Sequence, residues 1–144
     1  MKILFLGDVS NFHNTLAHAL RSAGHECVVA SMANSWQRIA GDIDISREDG
    51  ILGTAKFAAK LPFLLAKMCG YDIVHFINPH FLSLKPNKLA QVLAFLKQHN
   101  RYLFYSACCT DYDYLSTCHD GSTFRYSDFL LGDKPSPYVE SHEW

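Results

Sequence analysis

The sequence has almost no net charge and no long uninterrupted apolar run. Thirteen Lys and Arg against fourteen Asp and Glu leave a net charge of −1 over 144 residues, which excludes a generally basic nucleic-acid-binding protein. The longest apolar stretch, residues 51–69, is interrupted by Lys56, Lys60, Pro62 and Lys67, so no membrane-spanning helix is expected there. A composition of 49% hydrophobic and 19% charged residues excludes disorder and collagen-like repeats. We therefore expect a single domain over residues 1–144.

Regularly spaced cysteine pairs are also missing. Five cysteines cannot all pair within the chain, and Gly7 and Asp8 end the first apolar run before it reaches the length of a secretory signal. We expect reduced thiols and a cytoplasmic location. No C-x2-C pair occurs, and adjacent cysteines such as Cys108 and Cys109 rarely bind one tetrahedral ion, so no metal site is expected.

Charge is unevenly distributed along the chain. Residues 1–109 carry a net charge of +4 and residues 110–144 a net charge of −5. A mildly cationic body therefore precedes an acidic tail, which is predicted to be irregular over residues 115–144, and an anionic partner suits the body. Lys56, Lys60 and Lys67 share one face of a predicted helix, which either contacts an anionic membrane surface peripherally or is a plain solvated face.

Short apolar runs alternate with stretches of helical periodicity. The predicted strands cover residues 2–6, 27–31, 42–46, 72–78 and 102–107, and the predicted helices begin after Ser10 or Asn11, at residue 54 and at Pro86. This alternation predicts an α/β fold, a three-layer Rossmann-like sandwich with a mostly parallel sheet in the strand order 3-2-1-4-5. The last strand is expected to leave apolar surface exposed, which favours a homodimer.

The first helix has the clearest end signals. Ser10 or Asn11 is placed to cap its N-terminus, and Gly24 occupies the position of a left-handed C-terminal residue. The stripe expected to be buried consists of Phe12, Leu16, Ala19, Leu20 and Ala23. In the second helix, Pro62 produces either a kink or a restart.

Ligands of such sheets bind beyond the carboxyl ends of the strands, here at residues 7–14, 78–81 and 107–114. Gly7 is a single glycine where a dinucleotide-binding loop has three, and Asp8 would repel phosphate, so no nicotinamide or flavin cofactor is expected. The remaining polar side chains suit a hydroxyl-rich ligand, and they are Asp8, Ser10, Asn11, His13 and Asn14. In the alternative interpretation, Ser10 or Asn11 only caps the helix and His13 lies at the surface.

Polar residues also follow the later strands. Asn78 and His80 come after the fourth strand, and Asp111 and Tyr112 come after the fifth. Asp111 is the candidate catalytic residue because a carboxylate there would orient sugar hydroxyls or act as a base, and Tyr112 would stack on a sugar ring. A solvated acidic loop is the alternative. His75 lies inside a strand and is interpreted as a core histidine.

The order and spacing of several motifs resemble the N-terminal domain of bacterial GT-B glycosyltransferases. The apolar strand and polar loop at residues 1–14 are followed by Ala23-Gly24-His25-Glu26-Cys27-Val28, and then by Tyr71-Asp72-Ile73-Val74-His75. More narrowly, the chain is similar over residues 1–110 to the retaining, nucleotide-sugar-dependent group described as glycosyltransferase family 1 or family 4.

The resemblance implies two domains that bind different substrates. The N-terminal domain holds a sugar or other hydroxylated acceptor, and a C-terminal domain holds the nucleotide-sugar donor through a Glu-x7-Glu element, which this sequence lacks. The chain would then be the acceptor-binding half of a glycosyltransferase, inactive alone, with Asp111 where relatives place an acceptor-side histidine. The alternatives are a non-catalytic flavodoxin-like or Rossmann-like module that binds a small ligand, and a nucleotide-dependent oxidoreductase.

Overall fold

The computed structural model describes residues 1–33, 40–77 and 81–106. Strands and helices alternate along this part of the chain. In chain order they are β1 (Lys2–Leu6), α1 (Phe12–Ser22), β2 (Glu26–Ser31), β3 (Ile43–Asp44), α2 (Gly50–Lys67), β4 (Ile73–Phe76), α3 (Pro86–His99) and β5 (Tyr102–Tyr105). The predicted irregular tail, residues 115–144, lies outside the described residues.

The five strands form one parallel sheet in the order β3-β2-β1-β4-β5. This confirms the predicted α/β, Rossmann-like fold and its strand order. The chain crosses from one half of the sheet to the other between β3 and β4, so β1 and β4 are neighbours, with Phe5 opposite His75 in the register. A crevice opens between two such strands at their carboxyl ends, which is where ligands of doubly wound sheets bind.

Alternate residues of β1 face two different helical layers. Leu4 and Leu6 are fully buried in a cluster that includes Phe57 of α2 and Leu96 of α3. Ile3 and Phe5 point to the opposite face, where they pack in a second cluster that includes Ala17 of α1 and Cys27 of β2. Both faces of β1 are therefore covered, which accounts for the continuous apolar run at the start of the sequence.

Helix α1 buries only part of the predicted stripe. Leu16 and Leu20 pack against the second cluster, but Phe12, Ala19 and Ala23 are exposed, and the fully buried residues are His13 and Ala17. The periodicity was misleading because a histidine occupies the buried side of the first turn. The C-terminal prediction is confirmed, since Gly24 has a φ of 86° and its N–H donates to Arg21 O, the geometry that ends many helices.

Helix α2 begins at Gly50, four residues before the predicted start, and continues through Pro62 without ending. Much of its apolar surface faces solvent, because the side chains of Ile51, Leu52 and Phe63 are 88%, 79% and 73% exposed. Lys56 pairs with Glu48, their Nζ and Oε2 atoms 2.9 Å apart. In the part of the chain that the structure describes, no helix is long and apolar enough to cross a membrane.

Candidate functional site

The loop between β1 and α1 turns the chain sharply at the carboxyl end of the central strand. Gly7, Ser10 and Asn11 all have positive φ, at 73°, 53° and 64°. Two consecutive non-glycine residues in the left-handed region are uncommon, and such strain is concentrated at functional sites. The side chains of Ser10 and Asn11 are exposed in this loop, at the carboxyl end of β1.

Asp8, rather than the N-cap residue Asn11, supplies side-chain capping bonds to helix α1. Its Oδ1 accepts the backbone N–H of His13 at 3.0 Å, and its Oδ2 accepts that of Asn14 at 3.1 Å. No side-chain bond is made by the cap residue Asn11, because its left-handed backbone directs the chain differently from an ordinary N-terminal cap. The carboxylate thus occupies the end of the helix that would otherwise attract an anion.

His13 is fully buried beneath this loop and forms hydrogen bonds through both ring nitrogens. Its Nδ1 contacts the carbonyl oxygen of Gly7, and its Nε2 lies 2.9 Å from Nδ1 of His75. The ring of Phe5 packs 4.8 Å from the His13 ring, centroid to centroid. His13 is therefore not part of the polar rim that the sequence predicted, because its ring hydrogen bonds draw it inside.

His75 extends the contact toward β5. Its Nε2 lies 2.8 Å from Oγ of Ser106, the residue directly after β5, whose backbone N–H is bonded to Phe76 O. Gly7, His13, His75 and Ser106 together form a continuous hydrogen-bonded series, which we call the His–His–Ser network. It joins the ends of β1, β4 and β5 at the predicted ligand-binding edge.

The direction of each hydrogen bond in the network follows from its first member, the carbonyl oxygen of Gly7. A carbonyl oxygen can only accept, so His13 carries a hydrogen on Nδ1 and, when neutral, presents a bare Nε2. His75 must then donate from its own Nδ1, which leaves its Nε2 as the acceptor for the Ser106 hydroxyl hydrogen. With both rings neutral, every polar hydrogen and every lone pair that faces a partner in the network is satisfied.

Burial favours this neutral state. Desolvation lowers the pKa of His13, an effect that the hydrogen bond to the Gly7 carbonyl partly opposes. Desolvation also lowers the pKa of His75. At neutral pH the two rings are therefore uncharged, and His75 Nε2 is available as a base.

The remaining predicted site residues are not part of the His–His–Ser network in the described structure. The Asn14 amide donates to Ala40 O at 3.2 Å, so this side chain ties α1 to the chain before β3. The described residues do not include Asn78, His80, Asp111 or Tyr112.

Among the described residues no group of three or more His, Cys, Asp or Glu side chains could hold a metal ion. Cys27 and Cys69 are free thiols.

His75 and Ser106 were not among the predicted site residues. His75 was interpreted as a core residue because it lies inside an apolar strand. A signal was nevertheless present, since the strand order 3-2-1-4-5 places β4 beside β1 and brings a histidine of β4 toward the first turn of α1. Ser106 carries no such signal, because a single serine after a strand is common.

The described residues form an α/β unit with a Rossmann-like parallel sheet, and the His–His–Ser network lies at the carboxyl edge of that sheet. Comparison of the chain with protein-family models, with curated proteins and with solved structures finds no match. An account of its function therefore depends on the geometry of the site and on the sequence motifs.

Proposed function

We propose that the chain is the acceptor-binding domain of a nucleotide-sugar-dependent glycosyltransferase, and that it binds a sugar or other hydroxylated acceptor at the carboxyl edge of β1, β4 and β5. The observation that carries the proposal is the His–His–Ser network, an uncharged hydrogen-bonding series at the topological switch point of the sheet. A ligand hydroxyl can donate to the Ser106 oxygen, whose own hydrogen is directed to His75, so hydroxyl groups are natural partners of this site.

The start of α1 argues against a nucleotide at the same place. Phosphates bind helix N-termini through free backbone N–H groups and the helix dipole. Here the N–H groups of His13 and Asn14 already donate to Asp8, whose negative charge would repel a phosphate at a distance of a few ångströms. Asp8 therefore favours a neutral acceptor over an anionic donor at this edge.

The donor would bind elsewhere, in a second domain that supplies the nucleotide-sugar site. The motifs at residues 1–14, 23–28 and 71–75 support this arrangement through their resemblance to GT-B enzymes. Under the proposal, the 144-residue chain alone transfers no sugar, because half of the cleft is contributed by that second domain.

The proposal is tested by NMR titration of the isotopically labelled 144-residue chain. The ligands are a panel of monosaccharides and methyl glycosides, a set of nucleotide-sugars, and NAD. We expect at least one saccharide to produce saturable shifts in the backbone amides of residues 7–14, 75–77 and 106. Asn11→Ala, at the rim, should weaken that binding, whereas Asn87→Ala, an exposed asparagine at the start of α3, should not.

Two results would contradict the proposal. Saturable binding of a nucleotide-sugar or NAD at the start of α1 would show a nucleotide site instead, and turnover of a nucleotide-sugar by this chain alone would show that no second domain is needed. A saccharide panel that leaves all of these amides unshifted would favour the non-catalytic module. In that case the ligand should be sought by mass spectrometry of the purified protein.

A further inference from the structure

The His–His–Ser network has an open end and a closed end. At the closed end, the Gly7 carbonyl and His13 lie in the interior, with the His13 side chain fully buried. At the open end, Ser106 is only partly buried and follows the last residue of β5. His75 and Ser106 are both only partly buried, so a proton can enter or leave the network at this end through the Ser106 hydroxyl.

We propose that Ser106 and His75 take up the proton of a hydroxyl group bound at this edge, with His75 as the base, Ser106 as the group that hands the proton on, and His13 as a positioning residue. This inference rests on the proposed function, in which the bound hydroxyl belongs to the acceptor. It assigns a catalytic role to two residues on the acceptor side of the cleft.

The proton transfer balances without any further co-reactant. The O–H bond of the acceptor breaks as its hydrogen passes to Ser106 Oγ. The original O–H bond of Ser106 breaks in turn, and its proton forms a new N–H bond at His75 Nε2, across the present 2.8 Å contact. The electron pair stays on the acceptor oxygen, which then forms a bond to the anomeric carbon of the nucleotide-sugar as the nucleotide leaves.

The network can accept one proton but not two. When His75 is protonated at Nε2, it donates to Ser106 Oγ and still donates from Nδ1 to the bare Nε2 of His13, so every contact survives. A second proton on His13 Nε2 would point at the N–H of His75 across 2.9 Å, and two donors cannot share that space. Once His75 carries the proton, His13 therefore stays neutral and orients His75, in the way that a third group orients the base of a catalytic triad.

The first test measures the protonation states directly. Long-range proton–nitrogen NMR of the labelled full chain reports which ring nitrogen of each histidine carries hydrogen. At neutral pH we expect both rings as the Nδ1–H form, and on acidification we expect His75 to take the proton first while His13 stays neutral in the folded protein. A resting His75 with hydrogen on Nε2, or a His13 that titrates before His75, would overturn the proposal.

The second test measures transfer of the Ser106 proton to His75. p-Nitrophenyl acetate is used as an acylating probe, because acetylation forms a bond from Ser106 Oγ to the acetyl carbon, releases p-nitrophenolate and delivers the hydroxyl proton to His75 Nε2. Peptide mass spectrometry should locate the acetyl group on Ser106. His75→Gln should slow this acetylation roughly a hundredfold, the usual effect of losing a general base, whereas His18→Gln, at an exposed histidine of α1, should not.

The role of His13 is tested by rescue. His13→Leu removes the acceptor for His75 Nδ1–H, so both the fixed tautomer of His75 and the pH profile of acetylation should be lost. His13→Gln restores an acceptor oxygen and should recover part of each. Equal behaviour of the two variants, both folded by their NMR spectra, would contradict a positioning role.

The two proposals fail in different ways. If the histidine tautomers and Ser106 acetylation are as expected but no saccharide binds, only the glycosyltransferase proposal fails. If a saccharide binds at residues 7–14 but Ser106 is not acetylated faster in the wild type than in His75→Gln, the proton-transfer proposal fails and acceptor binding stands.

Discussion

Nε2 of His13 lies 2.9 Å from Nδ1 of His75, although the two residues are 62 positions apart in the chain. One ring belongs to the first turn of α1 and the other to the interior of β4. The contact therefore joins a helix on one face of the sheet to the strand beyond the topological switch point. Together with the Gly7 carbonyl oxygen, it determines which nitrogen of each ring carries hydrogen.

The first prediction concerns stability and pH. Burial lowers the pKa of both rings below the ordinary value of 6.5, so the unfolded chain binds protons before the folded one as pH falls through that value. The free energy of unfolding should decrease from near pH 6.5 until pH passes below the folded-state pKa values, by at most about 1.4 kcal/mol per pH unit for each histidine. Urea denaturation between pH 5 and pH 8, measured in steps of about half a unit, reports the slope.

His75→Gln should flatten this dependence, and His18→Gln should leave it unchanged. The pH range over which the histidines titrate is separate from that of Asp44. Burial raises the pKa of Asp44, but hydrogen bonds from Ser46 outweigh that effect, so the pKa is lowered from its ordinary value of 3.8. That carboxylate loses its stabilising contribution only at lower pH. An unchanged slope in His75→Gln would show that His75 is not desolvated in solution.

A second prediction concerns the cap of α1. Asp8→Ala removes the acceptor for two backbone N–H groups and should reduce the free energy of unfolding by about 1 kcal/mol. Asp49→Ala is the matched control, because Asp49 stands before α2 but forms no side-chain cap bond, and its loss should cost only a few tenths of a kcal/mol. Equal losses in chemical denaturation would contradict the assignment of Asp8 as the cap.

Gly53 is the subject of a third prediction. It is buried in the first turn of α2, where a Cβ would lie 2.1 Å from the Glu48 carbonyl oxygen. Gly53→Ala should therefore destabilise the protein by roughly 1–3 kcal/mol, although the same change at an open helix position stabilises by up to about 1 kcal/mol. A thermal melt that shows a stabilised Gly53→Ala variant would mean that α2 starts further from Glu48.

The two large aromatic side chains of α2 lead to a fourth prediction. Phe57 is 4% exposed and packs in the larger core cluster, whereas Phe63 is 73% exposed. Phe57→Ala should cost about 3–5 kcal/mol, and Phe63→Gln should change stability by less than about 0.5 kcal/mol. Urea denaturation of the two variants compares these values, and a large loss in Phe63→Gln would show that another surface covers this residue in solution.

The sheet could be predicted from the sequence because its signals are local. Each strand is a short apolar run, and the right-handed crossover rule converts their order along the chain into an order in space. The end of α1 was equally predictable, since Gly24 is suited to the left-handed conformation that closes a helix.

The site was less predictable because it depends on contacts between distant residues. The sequence placed His13 on a polar rim and His75 in the core, and it contained no measure of the distance between them. Asp8 was recognised as unfavourable to phosphate, but its role as a cap depends on the left-handed turn at Ser10 and Asn11. Turn preferences favour that conformation at an asparagine but not at a serine. Ser106 becomes part of the site only through the pairing of β5 with β4.

Gly7 has an unusual consequence for this site. In nucleotide-binding loops the first glycine after the strand allows the tight turn that leads to the phosphate site. Here Gly7 adopts the left-handed conformation in a turn, and its carbonyl oxygen contacts Nδ1 of His13. That oxygen is the one member of the network that can accept a hydrogen bond but never donate one. The peptide group of Gly7 thereby sets the donor-to-acceptor direction of every hydrogen bond in the network. A substitution at Gly7 should therefore change the hydrogen bonding of the Ser106 hydroxyl, three hydrogen bonds away.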